Sequence, residues 1–137
     1  MPYDGEEPPY VEPDLETDAL AHAVIGVAIE VHRRLGPGLD EGLYESALAI
    51  KFRLREIPFE RQVVINVEYK GEFIGFKRLD FVAGGRLIVE LKAVEQLTPL
   101  HKAQVLTYLK ITKIKLGLLV NFDTIFLKDG IKRVIRN

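Results

Sequence analysis

The chain contains no cysteine, so neither a disulfide framework nor a thiolate metal site can exist in it. Its three histidines, His22, His32 and His101, stand at no metal-ligand spacing, and any bound metal is therefore expected among oxygen donors. No apolar run approaches the roughly 18 residues of a membrane span, and the opening MPYDGEEPPY is acidic and proline-rich where a leader would be basic and then apolar. A cytoplasmic protein with no membrane partner is the expectation. Bases are missing from residues 1–18, which hold seven acids, whereas residues 19–137 hold 19 bases against 13 acids. Residues 1–14, with four of the seven prolines and little to bury, are expected to be a disordered tail. Residues 15–137 then form one domain, for which 47% apolar residues suffice to build a core. Its basic excess suits a phosphate-rich partner but is shared by many proteins that bind none, and no aromatic platform stands out.

Leu20, Val24, Val27, Val31 and Leu35 recur at three- and four-residue steps, which predicts an amphipathic helix over Leu15–Leu35, ended by Gly36-Pro37-Gly38. A second helix is expected from about Asp40 to Glu56, capped by Asp40 or a neighbour, with Leu43, Ala47, Ile50 and Leu54 facing inward. Gln62–Tyr69, Glu72–Val82 and Arg86–Val94 have strand character, are separated by Lys70-Gly71 and Gly84-Gly85, and should form an antiparallel meander. Thr98-Pro99 is a helix start, with the cap on threonine and proline at the first helical position; it predicts a third helix over about Pro99–Thr112. Leu116–Phe122 reads as a short buried strand, with Ile131–Ile135 an optional addition to it across the Lys128-Asp129-Gly130 turn. The order is helix, helix, three strands, helix, strand: a mixed α/β domain with one central sheet flanked by helices.

Chemistry concentrates in the third strand, RLIVELKAV. Alternation puts Ile88, Glu90 and Lys92 on one face and Leu87, Val89, Leu91 and Ala93 on the other, so both faces look covered. Removing an unpaired charge from water costs several kcal/mol, so a purely structural strand should avoid such a pair unless one face meets solvent at an edge or end. Asp80, between Leu79 and Phe81 on the preceding strand, is a third charge in apolar surroundings. Two carboxylates and a lysine make an oxygen site for a hard divalent cation such as Mg²⁺, with the lysine placed to orient a water or stabilise phosphoryl charge. A buried Asp80–Lys92 salt bridge with Glu90 in solvent is the structural alternative. A shared metal requires Asp80 and Glu90 on one sheet face. A two-residue Gly84-Gly85 turn would pair Asp80 with Val89 and separate them, so an odd loop, most simply Gly84 to Arg86 with a left-handed glycine, or a bulge is expected.

Asp80, followed after nine residues by Glu90-Leu91-Lys92, resembles the bipartite motif of the PD-(D/E)XK nuclease superfamily. Gly38-Leu39-Asp40-Glu41-Gly42-Leu43-Tyr44 is similar to the pattern for which the GxxExxY family within it is named. The strings AIEVHRRLGPGLDEGLYESALAI, VELKAVEQLTPLHKAQVLTYLK and GLLVNF extend that likeness over roughly residues 20–135. Leu79 stands where the superfamily's name has proline, and Asp40 beside Glu41 leaves open which acid faces the site.

The resemblance implies a restriction-endonuclease-like core and a nuclease acting on nucleic acid, DNA ahead of RNA, with Mg²⁺ or Mn²⁺ as cofactor. It implies a catalytic set of Asp80, Glu90 and Lys92, joined by Glu41 on the first core helix and Gln104 of a Q-x-x-x-Y on the next. Metal ligands would be Asp80, Glu90, the backbone carbonyl of Leu91 and, as an optional fourth, Glu41. Tyr44, His101 and Tyr108 would meet substrate. Taken alone, Glu41 could be an ordinary acid in a first helical turn, and Tyr44 a core residue with a satisfied hydroxyl. Glu41 and Tyr44, His101 and Gln104, and Gln104 and Tyr108 each share a helical face at three or four residues. A homodimer is compatible with so small a nuclease, though no sequence feature shows it. The competing reading is a non-catalytic nucleic-acid- or protein-binding module that keeps the fold.

Overall fold

The computed structural model describes residues 14–137. The stretch expected to be a disordered tail lies outside them except for Asp14, whose side chain accepts the backbone N–H of Thr17 at 2.7 Å and so caps the first helix, α1, Leu15–Leu35. Glu16 and Asp18 in its first turn and Arg33 and Arg34 in its last complement the helix dipole. The second helix, α2, spans Glu41–Leu54, with Asp40 at the N-cap but without a side-chain cap bond. Strands β1 Phe59–Tyr69, β2 Glu72–Ala83 and β3 Leu87–Lys92 follow, then helix α3 Pro99–Thr112, strand β4 Leu116–Asn121, a 3-10 turn over Leu127–Gly130 and strand β5 Ile131–Ile135. Among the described residues no helix is long and apolar enough to cross a membrane.

The strands form one mixed sheet in the order β1-β2-β3-β4-β5. β1, β2 and β3 are the expected antiparallel meander, β4 runs parallel to β3 after the α3 crossover, and β5 returns antiparallel to β4. Helices α1 and α2 cover one face over Phe81, Ala83, Leu87, Val89, Leu91, Leu116, Leu118 and Val120. Helix α3 covers the other over Leu79, Val82, Ile88, Leu119 and Val134. β3 is therefore a central strand buried on both sides, which removes the reading of Glu90 as a solvated residue, while Lys92, the last residue of the strand, is half-buried.

The inward face of α2 differs from the one expected. Tyr44, Leu48, Ala49 and Phe52 are buried, whereas Leu43, Ile50 and Leu54 are exposed, Leu54 by 71%. The helix carries two apolar stripes one residue apart, and the stripe with two aromatic rings buries more area. Phe52 meets Phe59 and Phe81 at 5.4 and 5.3 Å, and Tyr44 stacks on Phe122 at 4.4 Å. Anchorage of Phe59 in that cluster also explains why β1 starts three residues earlier than its sequence pattern suggested.

β3 is shorter than expected at both ends. Arg86 belongs to the preceding turn, and beyond Lys92 the ladder is replaced by one side chain: Asn121 accepts the N–H of Val94 at 3.0 Å and donates to its carbonyl at 2.9 Å. Buried Asn121 thereby satisfies backbone groups that no strand reaches. The alternation of β2 breaks at Asp80, since Leu79 packs under α3 while Phe81 packs under α1 and α2. Opposite it in β1, Gln62 takes a left-handed φ of 54°, and neither residue belongs to a ladder pair. The meander thus rolls over where its one buried-side aspartate emerges.

Candidate active site

The β2–β3 connection decides whether the acids meet. Ala83 pairs with Leu87 and Phe81 with Val89, so the loop is Gly84-Gly85-Arg86, with both glycines at positive φ (58° and 69°) and Arg86 N–H donating to Ala83 O at 3.1 Å. This is the odd loop the shared site requires. Carried one step past Phe81–Val89, the register sets Asp80 opposite Glu90, where the ladder opens. Glu90 Oε2 accepts the N–H of Asp80 at 2.7 Å, and Asp80 Oδ2 accepts the N–H of Leu91 at 2.8 Å. Each carboxylate stands in for a missing carbonyl acceptor, so the two side chains are braced across the gap by the backbone.

Glu90 is only 6% exposed. Burial, and then the charge of Asp80, push its carboxyl up to about 8. Asp80 is also raised by burial, with the N–H of Leu91 pulling the other way and the charge of Glu45 adding to the rise. The first turn of α2 supplies Glu41, whose carboxyl is raised by burial and by Asp80 and lowered by Lys92. Between the neighbouring acids at the start of α2, Glu41 is half-buried at the site and Asp40 is exposed.

From α3 comes Gln104, whose Oε1 lies 3.5 Å from Lys92 Nζ, a long contact. Tyr108, one turn further, is buried, and its hydroxyl is raised by burial and by the charges of Glu90 and Asp80. Among the described residues Lys92 makes no ion pair within 4 Å, so the Asp80–Lys92 salt bridge with Glu90 in solvent is not what forms.

Two expected substrate contacts have other partners. Tyr44 is fully buried; its hydroxyl donates to Gly36 O at 2.6 Å and accepts from Leu39 N–H at 3.1 Å, tying the Gly36-Pro37-Gly38 loop to α2. His101 completes a capping box at the start of α3, its Nδ1 accepting the N–H of Thr98 at 3.0 Å. His32, left out of the candidate set, is buried with Nε2 2.8 Å from Thr124 O.

Sequence reasoning missed Glu45. It is buried, accepts from Arg61 Nε at 2.6 Å and from Gln62 Nε2 at 2.8 Å, and its charge acts on both Asp80 and Glu41. It lies four residues beyond Glu41, one turn along the same helical face, and that spacing was the available signal.

Among the described residues, no three of His, Cys, Asp and Glu gather closely enough to hold a metal by themselves. The donor set nevertheless suits a hard cation of the Mg²⁺ kind, which takes one or two carboxylates and completes its shell with water and phosphate oxygens. One oxygen of Asp80 and one of Glu90 are committed to backbone N–H groups, which leaves each a second oxygen, and two crowded, desolvated carboxylates are the setting a divalent charge relieves.

A sheet covered by helices on both faces, whose meander ends in two facing acids and a lysine between two helix-borne polar groups, is the framework of restriction-endonuclease-like proteins. The family model of the PD-(D/E)XK nuclease superfamily matches residues 18–134, and the chain belongs to that superfamily. No curated protein and no solved structure matches the chain.

Proposed function

We propose that the protein is a divalent-metal-dependent phosphodiesterase that hydrolyses nucleic acid, DNA ahead of RNA, and that it falls within the GxxExxY branch of its superfamily. The observation that carries this reading is the braced Asp80–Glu90 pair with Lys92 on the next outward position of β3. A purely structural sheet gains nothing from two facing carboxylates in a buried gap, one of them held near neutrality by burial.

Asp80 and Glu90 would hold the cation, with the Leu91 carbonyl and Glu41 as further donors. The bound cation would neutralise charge on the phosphoryl oxygens and make a nearby water more acidic. Lys92, with Gln104 beside its ammonium, offers a positive charge and a donor to the attacking water or the phosphate. Glu41, whose carboxyl is raised by burial and by the charge of Asp80, is the further donor whose charging a bound cation would favour. Tyr108 presents a hydroxyl donor to the same space.

The test is a cleavage assay on circular and linear, single- and double-stranded DNA and on RNA, with Mg²⁺, Mn²⁺ or EDTA, using wild type and Lys92→Ala side by side. Metal-dependent cleavage lost in the variant, with metal binding retained, supports the proposal. Absence of cleavage on every substrate with either metal overturns it in favour of a binding module that keeps the fold.

A further inference from the structure

Beyond Val63 and Leu79 the face of the β1–β2 hairpin turned away from α3 carries large apolar side chains in the open. Phe73 is 60% exposed, and Phe76 and Val64 are each 53% exposed. Val63 and Ile65 turn toward the α3 cluster, so alternation sends Val64 and Asn66 to the opposite face. Their register partners on that face are Arg78 and Phe76. The Arg78 guanidinium lies 5.7 Å from the centre of the Phe76 ring. Neither Arg78 nor its neighbour Lys77 is in an ion pair among the described residues. At the tip, Lys70 sits 5.8 Å from the Tyr69 ring. Tyr69 has the parity of Val63 and Ile65, so the face turned from α3 carries one exposed ring backed by an unpaired cation, Phe76 with Arg78, on the strand that runs directly into Asp80.

We propose that this ribbon is the substrate-guiding arm of the site and that its occupant is a strand of nucleic acid with unpaired bases: Arg78 takes a phosphate and Phe76 takes the face of a base. This deepens the nuclease reading and rests on it. Charge complementarity favours this occupant, because Arg78, the cation of that face nearest Asp80, has no acidic partner while the ribbon's acids, Glu68 and Glu72, lie at its far end. On the face that carries Val64 and Asn66, two exposed rings, Phe73 and Phe76, stand beside one cation, Arg78, and that balance favours an unpaired strand over a duplex. A duplex hides its base faces and is held chiefly by many phosphate contacts, whereas single strands are held by stacking on exposed rings supplemented by a few cations. The spacing also fits: at about 3.4 Å per residue Arg78 stands about 7 Å and Phe76 about 14 Å along the strand from Asp80, the rise of two to four stacked nucleotides. Both are positioning residues, since neither touches the reacting atoms.

The experiment is fluorescence anisotropy of the full chain in EDTA, with a labelled single-stranded oligonucleotide and the duplex of the same sequence, for wild type, Phe76→Ala, Phe76→Trp and Arg78→Ala. Wild type should prefer the single strand. Phe76→Ala should weaken single-strand binding about tenfold with little effect on the duplex, and Phe76→Trp should restore it. Arg78→Ala should weaken both forms and lower the salt slope by about one. Unchanged single-strand affinity in Phe76→Ala, or a preference for duplex, overturns the proposal. So does a concentration-dependent dimer, seen by sedimentation, that Phe76→Ala converts to monomer, since the face would then belong to a second copy. The measurement needs no hydrolysis, so the two readings fail separately: binding with this pattern but no cleavage sinks the nuclease reading alone, and cleavage indifferent to Phe76 sinks the arm alone.

Discussion

Glu90 accepts the backbone N–H of Asp80, and Asp80 accepts that of Leu91, the residue after Glu90, so each acid is fixed by the strand that carries the other. The pair is held in place by groups that need not move when a ligand arrives. Burial forces the cost of charging it onto Glu90, and the behaviour of that carboxyl is accessible to measurement.

In the folded chain Glu90 keeps its proton up to about pH 8, whereas an unfolded chain loses it near the ordinary value of 4.5. Across that window the native state binds more protons, so stability is highest at the acid end and falls as pH rises from about 4.5 through 8. Melting in EDTA should give a lower Tm at pH 8.5 than at pH 6, and Glu90→Gln should flatten the dependence. A wild-type Tm that rises over this range would contradict the assignment.

Because Glu90 is protonated at neutral pH, a cation must displace that proton to use the carboxylate. Calorimetric titration with Mn²⁺ at pH 7 in two buffers of different ionisation enthalpy should report release of close to one proton, falling toward zero above pH 9. The cation should also raise Tm, and Asp80→Asn should abolish both effects.

Lys92→Ala should lower cleavage by about a hundredfold or more, the usual effect of removing a group that stabilises transition-state charge, while the Kd for Mn²⁺ stays within about twofold. Gln104→Ala should cost less, because its contact with Lys92 is long and acts through that residue. Single-turnover rates separate the two.

Tyr44→Phe should reduce stability by about 1 kcal/mol through loss of the hydroxyl's bonds to the Gly36 carbonyl and the Leu39 amide, while KM stays unchanged. Urea denaturation beside substrate titration distinguishes this from a substrate contact, which would move KM.

Gly84→Ala and Gly85→Ala should each cost about 1 kcal/mol, because both positions have left-handed φ. Gly84→Ala should cost more, since its added Cβ would stand 2.9 Å from Leu20 Cδ2 whereas that at Gly85 meets nothing. Denaturant midpoints give the order.

Much of this was legible in one dimension. The limits of α1 coincide with the predicted ones because local signals mark both ends, a cap bond on Asp14 and Gly36 at positive φ, and α3 starts where Thr98 caps it. The odd β2–β3 loop followed from demanding that Asp80 and Glu90 share a site. The buried face of α2 was not legible, because its two apolar stripes look alike until Phe59, Phe81 and Phe122 arrive from distant strands to choose the aromatic one. Nor was the aromatic arm, since Phe73 and Phe76 stand three apart, only the register shift beside Ile74 brings them to one face, and only the extent of the helices leaves them uncovered.

What the sequence determined by itself is the inventory and its local order: oxygen-only ligands in the absence of cysteine, the elements in sequence, and an acid, an acid and a lysine at strand spacing. Only the tertiary structure decided how those charges behave. The position of β3 at the centre of a sheet covered on both faces strips water from Glu90, and the break at Asp80 turns two carboxylates toward each other's backbone. Desolvation and opposition of charge are properties of what lies alongside in space, and neighbours in the chain do not specify them.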